Sequence, residues 1–210
     1  MASLLYIKAS PRGDRSHSIT VAEAFVEAYK TAHPGDSVEV LDLFATDLPT
    51  FDGLALQAKY AILGGGQPSE EQREAWGAIE AIIARFTVAD RYVLAVPMWN
   101  FGIPYRLKQY LDILIQPSYT FAYIPGEGYR GLVPGKPVLA VYSRGGEYGP
   151  GNPIETYDFQ KPYLELALRF IGFEDIRSLV VEGTLMVGGD ELERRRAAAI
   201  AEAREMAKTF

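Results

Sequence analysis

Segments rich in apolar residues alternate with amphipathic segments along the whole chain. Short apolar runs bounded by Gly, Pro, Ser or Asp are typical of strands that are buried on both faces of a parallel sheet. On this basis we predict strands at 4–8, 38–43, 91–97, 137–142 and 178–182.

The intervals between these runs have the spacing of helices. Phe25 and Tyr29 share one apolar face of the first interval. Ser69 and Gln72 have the spacing of a capping box, and Pro104 suits the first turn of a helix. We predict helices at 19–32, 53–63, 69–86, 104–115, 157–171 and 191–208, and an irregular hairpin at 121–132.

Strands that alternate with helices predict an α/β fold. Five such units in a chain of 210 residues suit a flavodoxin-like doubly wound fold, in which helices cover both faces of a five-stranded parallel sheet. The chain contains no internal repeat, low-complexity segment or linker. We therefore expect a single domain over residues 1–210.

The composition and charge argue against some classes of binding partner. Hydrophobic residues make up 48% of the chain and charged residues 23%, as in ordinary globular proteins. The net charge of −6 argues against nucleic-acid binding, which needs a basic surface. No apolar run is long enough for a membrane helix. The chain has no cysteine, which excludes thiolate chemistry and fits a cytoplasmic location.

In open parallel sheets, ligands bind beyond the carboxyl ends of the strands. The loop after the first predicted strand has three serines and two arginines before a helix. Backbone N–H groups at a helix N-terminus can hold a phosphate monoester, and Ser10, Ser16, His17 and Ser18 would surround it. The alternative is a solvated loop whose serine only caps the helix. The loop lacks both the P-loop and the dinucleotide-binding glycine motifs.

The loop after the third predicted strand combines aromatic side chains with an amide. Trp99 and Phe101 could supply apolar walls for a flat heterocycle, and Asn100 could supply a donor to its polar edge. Prolines at 97 and 104 stiffen this turn. The alternative is that these aromatics belong to the core. The candidate ring-binding residues are Pro97, Met98, Trp99, Asn100 and Phe101.

The loop after the fourth predicted strand reads Ser143-Arg144-Gly145-Gly146. Two glycines allow a backbone to approach a ligand closely, although such a pair also occurs in ordinary turns. Taken together, a phosphate site and a flat-ring site on one sheet edge indicate flavin mononucleotide (FMN).

A flavin also accounts for the absence of other chemistry. The only histidines are His17, in the phosphate loop, and His33, at a helix end where it would contact the last carbonyls. No group of residues has metal-ligand spacing, and no metal is expected. Redox chemistry at a flavin needs neither a catalytic triad nor a metal.

The sequence resembles the FMN-dependent NADH-azoreductases, also described as FMN-dependent NADH:quinone oxidoreductases, within the flavodoxin-like quinone reductase group. The resemblance covers essentially the whole chain. It is carried by Ser10, the 16–18 segment, the 97–101 segment and the 143–146 segment. It implies that the serines hold the FMN phosphate and that the other two segments line the flavin ring.

The resemblance also implies a homodimer with its sites at the subunit interface. The reaction would be a ping-pong transfer of two electrons from NADH or NADPH to a quinone or an azo compound. Tyr148 is a weak candidate proton donor, and Arg12, Arg15 or Arg130 could favour NADPH. Aromatic side chains of the second subunit would then contact the substrate, and the candidates are Tyr119, Phe121, Tyr123, Tyr129 and Phe173.

Three other functions stay open at this stage. A general NAD(P)H:quinone or nitro reductase would use the same flavin with other acceptors. A flavodoxin-type electron carrier would bind FMN without its own NAD(P)H turnover, although a charge of −6 is mild for such a carrier. A sheet protein that binds a different nucleotide would contain no flavin.

Overall fold

Five of the seven strands form one parallel sheet in the computed structural model, which describes residues 1–210. The sheet order is β2-β1-β3-β6-β7, and the other two strands pair in an antiparallel hairpin. The strands are β1 (Ser3–Lys8), β2 (Ser37–Asp42), β3 (Arg91–Pro97), β4 (Phe121–Ile124), β5 (Gly128–Gly131), β6 (Val138–Ser143) and β7 (Ile176–Val181).

Helices cover both faces of the sheet because successive residues of each central strand point to opposite sides. Tyr6 packs in the cluster formed with the first and last helices, whereas Ile7 packs in the cluster of the opposite face. The helices are α1 (His17–Ala32), α2 (Gly53–Leu63), α3 (Glu70–Val88), α4 (Tyr105–Leu114), α5 (Lys161–Ile171) and α6 (Gly189–Ala207). The predicted flavodoxin-like α/β fold is confirmed.

Several predicted boundaries agree with the structure. The strand 91–97 and the helix 53–63 have the predicted bounds. The Ser69 side chain accepts a hydrogen bond from Gln72 N and the Gln72 side chain accepts one from Ser69 N, which completes the predicted capping box.

Two local expectations were wrong. α5 begins at Lys161 rather than at 157, because Asp158 Oδ1 accepts hydrogen bonds from the N–H groups of Gln160 and Lys161. The predicted irregular hairpin is a regular antiparallel pair over 121–124 and 128–131. His33 contacts a late carbonyl of its own helix, as predicted, because its N–H donates to Tyr29 O at 2.8 Å, and its Nε2 also lies 3.2 Å from Ala207 O at the end of α6.

The hairpin lies at the edge of the sheet opposite to the strand carboxyl ends. After β5, Lys136 Nζ donates hydrogen bonds to the carbonyls of Thr87 and Ala89, just before β3 begins. Val133 N donates to Ile171 O at the end of α5. The base of the hairpin therefore lies at the sheet edge opposite to the candidate site of the same subunit.

No helix has both the length and the apolar content needed to cross a membrane. No group of three or more His, Cys, Asp or Glu side chains is arranged to hold a metal ion.

Candidate functional site

The three candidate loops meet at the carboxyl ends of β1, β3 and β6. Ala9 N donates to Ala95 O at 3.0 Å, and Met98 N donates to Ser143 O at 2.8 Å. These bonds continue the strand pairing into the loops and bring them together around a cavity of about 130 Å³. The cavity is lined by Arg12, Ser16, His17, Pro97, Met98, Trp99, Ser143, Arg144, Gly145, Thr184 and Leu185.

Buried hydroxyls surround an uncapped helix terminus at one end of this site. Ser10, Ser16 and Ser18 are all buried, and the Oγ atoms of Ser16 and Ser18 lie 3.2 Å apart. Ser16 is the N-cap of α1, but its side chain makes no capping hydrogen bond. The N–H groups of His17, Ser18 and Ile19 have no partner in the chain. Free N–H groups and hydroxyls at a helix N-terminus are the donors that a phosphate requires.

His17 adds a further unpaired group to this end of the site. Its Nδ1 atom is buried without a hydrogen-bond partner. Burial lowers the pKa of His17 below its usual value of 6.5, and the positive charges of Arg196 and Arg12 lower it further. Both effects disfavour the protonated form of His17. A bound anion would stabilise that form and raise the pKa of His17.

We expect the unliganded protein to lose stability as the pH falls below 6.5, with part of this loss due to His17. The unfolded chain takes up the proton near pH 6.5, whereas the folded chain takes it up only at lower pH. Between these two values the unfolded state binds more protons, so the free energy of unfolding rises with pH. Urea titrations from pH 5 to pH 8 measure this slope.

The His17→Gln variant removes the titrating group and should show a shallower slope in the same titrations. Adding a phosphate-containing ligand should also flatten the slope of the parent protein, because the anion raises the histidine pKa. Identical slopes for the variant and the parent would contradict this assignment.

The other end of the site is a strained two-residue turn. Trp99 N donates to Gly102 O and Gly102 N donates to Trp99 O, both at 3.0 Å. Between them, Asn100 and Phe101 have positive φ angles of 46° and 71°. This left-handed conformation favours Asn-Gly, so a phenylalanine at the second position is unusual. Strain of this kind occurs at binding sites, where the side chain is needed for another reason.

We expect Phe101→Gly to weaken ligand binding without lowering stability. Glycine adopts the positive φ without strain, which contributes roughly 1 kcal/mol and offsets the loss of contact with Tyr157, whose ring centroid is 5.7 Å away. The exposed Phe101 ring, on the same turn as the cavity-lining Trp99, would be lost. Thermal unfolding and a flavin titration measure the two effects separately. A variant with unchanged flavin affinity would contradict the role of the ring.

Backbone N–H groups face the site from the loop after β6. The N–H groups of Gly145 and Gly146 have no hydrogen-bond partner in the chain. Gly145 O accepts a hydrogen bond from Leu185 N at 3.1 Å, and Arg144 O accepts one from Thr184 N at 3.0 Å. The loop after β7 thus packs alongside the glycines and contributes its own side chains to the cavity.

Sequence reasoning missed Thr184 and Leu185. Both residues follow a predicted strand, so the strand-end rule that identified the other loops could have found them. Leu185 is 87% exposed although it is apolar, and it lines the cavity.

The Arg144 side chain is held by two carboxylates of its own chain. Its guanidinium is 3% exposed and is paired with Asp158 and Glu182 at 2.8 and 2.9 Å. Tyr148 packs near this guanidinium and against Gly146, in a neighbouring cleft with Glu155. Both side chains therefore support the loop, and of the two only Arg144 also lines the cavity.

The predicted substrate-contacting aromatics do not line the cavity of their own subunit. Phe173 is 1% exposed and packs against Phe86 and Tyr92, so its assignment to a substrate site was wrong. The Tyr119 hydroxyl is engaged by Trp76 and Glu80 of α3. The remaining three lie on the hairpin, and they are Phe121, Tyr123 and Tyr129.

A family model described as a flavodoxin-like fold, Flavodoxin_2, matches residues 2–207. The chain belongs to this family. The curated FMN-dependent NADH:quinone oxidoreductase of Nitratidesulfovibrio vulgaris (strain DP4) is 57% identical over 211 residues, which cover 100% of both chains. The enzyme of the same name from Desulfotalea psychrophila is 47% identical over 96% of this chain and 93% of its own. The family resemblance seen in the sequence is confirmed.

Solved structures of azoreductases have the same fold over the whole chain. The azoreductase from Bacillus anthracis str. Sterne has a TM-score of 0.92 and 31% identity, with complete coverage of both chains. An FMN-dependent NADH-azoreductase from Bacillus anthracis str. Ames Ancestor, solved in complex with FMN, has a TM-score of 0.88 and 28% identity over 99% of this chain and 98% of that one.

Proposed function

We propose that this protein is an FMN-dependent oxidoreductase that transfers two electrons from NADH to quinones and azo compounds by a ping-pong mechanism. The observation that carries this proposal is the cavity in which a phosphate-type helix terminus and an aromatic turn meet. Full-length relatives with FMN, NADH and quinone or azoreductase in their names support the same chemistry.

The residues present fit FMN at both ends. The unpaired N–H groups of His17, Ser18 and Ile19 and the buried Nδ1 of His17 are free to hold the phosphate. The serines at 10, 16 and 18 would add hydroxyl donors. The segments 97–101 and 143–146 would hold the ring.

Bound FMN would supply the redox chemistry, accepting a hydride equivalent from NADH and passing two electrons to the second substrate. The chain's own part is to position the ring and to stabilise its charge. The unpaired N–H groups of Gly145 and Gly146 are suited to stabilise negative charge on the reduced cofactor. Trp99, packed between Phe44 and Tyr105 at 5.7 and 6.1 Å, would exclude water from one side.

We further propose a homodimer in which the partner completes each site. The hairpin aromatics do not line the cavity of their own subunit, and in such a dimer the second copy would supply them. Large apolar side chains are exposed beyond what a monomer needs. They lie on α2 and around the cavity, at Leu54, Tyr60, Ile62, Leu63, Phe101, Tyr105, Tyr157 and Phe159. Sedimentation equilibrium measures the oligomeric state, and the cytoplasmic location stays a prediction from the absence of cysteine.

The experiment that tests the function is an absorption spectrum of the purified protein, followed by anaerobic addition of NADH. We expect a flavin band that bleaches with NADH and returns when a quinone or an azo dye is added. A flavin band that NADH cannot bleach would favour an electron carrier. No flavin after reconstitution with FMN would mean that the cavity holds another nucleotide.

The same titration with NADPH addresses the choice of nicotinamide. Arg12 lines the cavity and is exposed, and no carboxylate pairs with it. Arg130 is paired with Glu127 in the hairpin. Arg12 is therefore the better candidate for a contact with the additional phosphate, and Arg12→Ala should lower any NADPH rate more than the NADH rate.

A further inference from the structure

Gln160 connects two of the three loops through its side chain. It is completely buried, with 0% exposure. Its Oε1 accepts a hydrogen bond from Arg144 Nε at 3.0 Å, and its Nε2 donates to Val96 O at 2.9 Å. Val96 directly precedes the 97–101 segment, and Arg144 directly precedes Gly145. One amide thus joins the residue before the 97–101 segment to a residue within the 143–146 segment.

Charged partners hold the Arg144 end of this bridge. The Nη1 atom lies 2.9 Å from Glu182 Oε1, and that oxygen also accepts Tyr148 N at 3.0 Å. The Nη2 atom lies 2.8 Å from Asp158 Oδ2. Asp158 Oδ1 in turn accepts the backbone N–H of Gln160 at 2.9 Å. These contacts, of which that between Nη2 and Asp158 is an ion pair without hydrogen-bond geometry, form a closed ring that includes Gln160, Arg144 and Asp158.

The segment before Gln160 also contacts the strained turn. Phe159 N donates to Phe101 O at 2.9 Å. The chain at 159–160 therefore contacts both the turn at 99–102, through Phe159 N, and the strand that precedes it, through the Gln160 side chain.

Building on the proposed function, we propose that Gln160 is a positioning residue for the flavin. Through Arg144 it fixes the distance between the aromatic turn and the N–H groups of Gly145 and Gly146. Both of its hydrogen bonds are buried, so removing the amide leaves Arg144 Nε without its acceptor and takes one donor from Val96 O. The strand pairing that ends at Met98 N and Ser143 O would still join the two segments, but the residues beyond it would lose their shared support. Small displacements of positioning groups have large effects at a reacting centre.

The test compares Gln160→Met with Gln116→Met. Gln116 is a matched control because it is 1% exposed and its Nε2 donates to a backbone carbonyl, that of Asp112, at the opposite sheet edge. The readouts are the FMN dissociation constant, from quenching of FMN fluorescence, the midpoint potential of the bound flavin, and stability to urea. We expect a similar loss of stability in both variants.

Only Gln160→Met should weaken FMN binding, by about tenfold for one lost buried hydrogen-bond network, and shift the potential to more negative values. The shift follows because misplaced glycine N–H groups stabilise the reduced cofactor less. The isosteric Gln160→Glu variant keeps the acceptor for Arg144 and loses the donor to Val96 O. It should fall between Gln160→Met and the parent, and it provides the result if the methionine variant does not fold.

Unchanged FMN affinity and potential in both Gln160 variants would overturn the inference. A parent protein that binds no FMN would instead contradict the proposed function. The two failures are therefore distinguishable in one set of titrations.

Discussion

Replacing Gly131 by alanine is expected to lower the free energy of unfolding by about 3 kcal/mol. A Cβ atom at this position would lie 2.3 Å from Gly172 N and 2.3 Å from Ile171 C. Both are backbone atoms, so no side-chain rotation can relieve the overlap. The end of the hairpin and the end of α5 interlock here, and Val133 N donates to Ile171 O beside them. The alanine would force the hairpin away from the helix.

Urea denaturation measures this loss of stability. Gly77→Ala is the control, because it is expected to raise the free energy of unfolding. Gly77 lies inside α3, where an added Cβ meets nothing within 4 Å. Alanine should stabilise that helix by about 1 kcal/mol. Gly131→Ala should also expose the hairpin to proteolysis, because Phe121 and Tyr129 would lose their contacts with Phe170. Parental stability in Gly131→Ala would contradict the interlocked packing.

Local patterns in the sequence predict the sheet and most of its helices because the signals that specify them are local. The strand at 91–97 is an apolar run with no competing periodicity, and the Ser69 capping box marks a helix start within four residues. The strand-end rule then places Ser16, Met98 and Gly145 at one edge, and all three line the cavity.

Long-range pairing accounts for what the sequence does not predict. Arg144 looks like part of a ring-binding motif, but Asp158 and Glu182, distant in sequence, determine where its charge lies. Phe173 resembles a loop aromatic, yet β3 and α3 bury it. Neither partner set is visible from spacing along the chain.

The turn at 99–102 has one feature that the sequence predicts and one that only the structure shows. Its aromatic and amide residues suggest a ligand site, but the positive φ angles of Asn100 and Phe101 emerge only from the structure. A sequence that optimised the turn alone would place glycine at the second position. The retained phenylalanine therefore strengthens the case that its side chain has a function.

Replacing Gly145 by valine is expected to lower the affinity for FMN by more than about 100-fold, equivalent to about 2.7 kcal/mol. A Cβ atom here would lie 2.9 Å from Leu185 Cδ1 and 3.3 Å from Leu185 Cγ. Leu185 is an exposed side chain that can rotate away, so the unliganded fold should tolerate the change. The added methyl groups and the displaced leucine would then compete with the ring for a cavity of only about 130 Å³.

Flavin fluorescence titration and urea denaturation separate these two effects for Gly145→Val. Gly35→Val is a suitable control, because Gly35 precedes β2 at the opposite edge and its Cβ would meet only Met1 Cγ at 3.7 Å. Gly145→Ala should give an intermediate loss of affinity, since a single methyl group moves Leu185 but adds less volume. If Gly145→Val binds FMN as tightly as the parent, the ring does not approach this backbone. In that case the unpaired N–H groups of Gly145 and Gly146 must serve another part of the ligand.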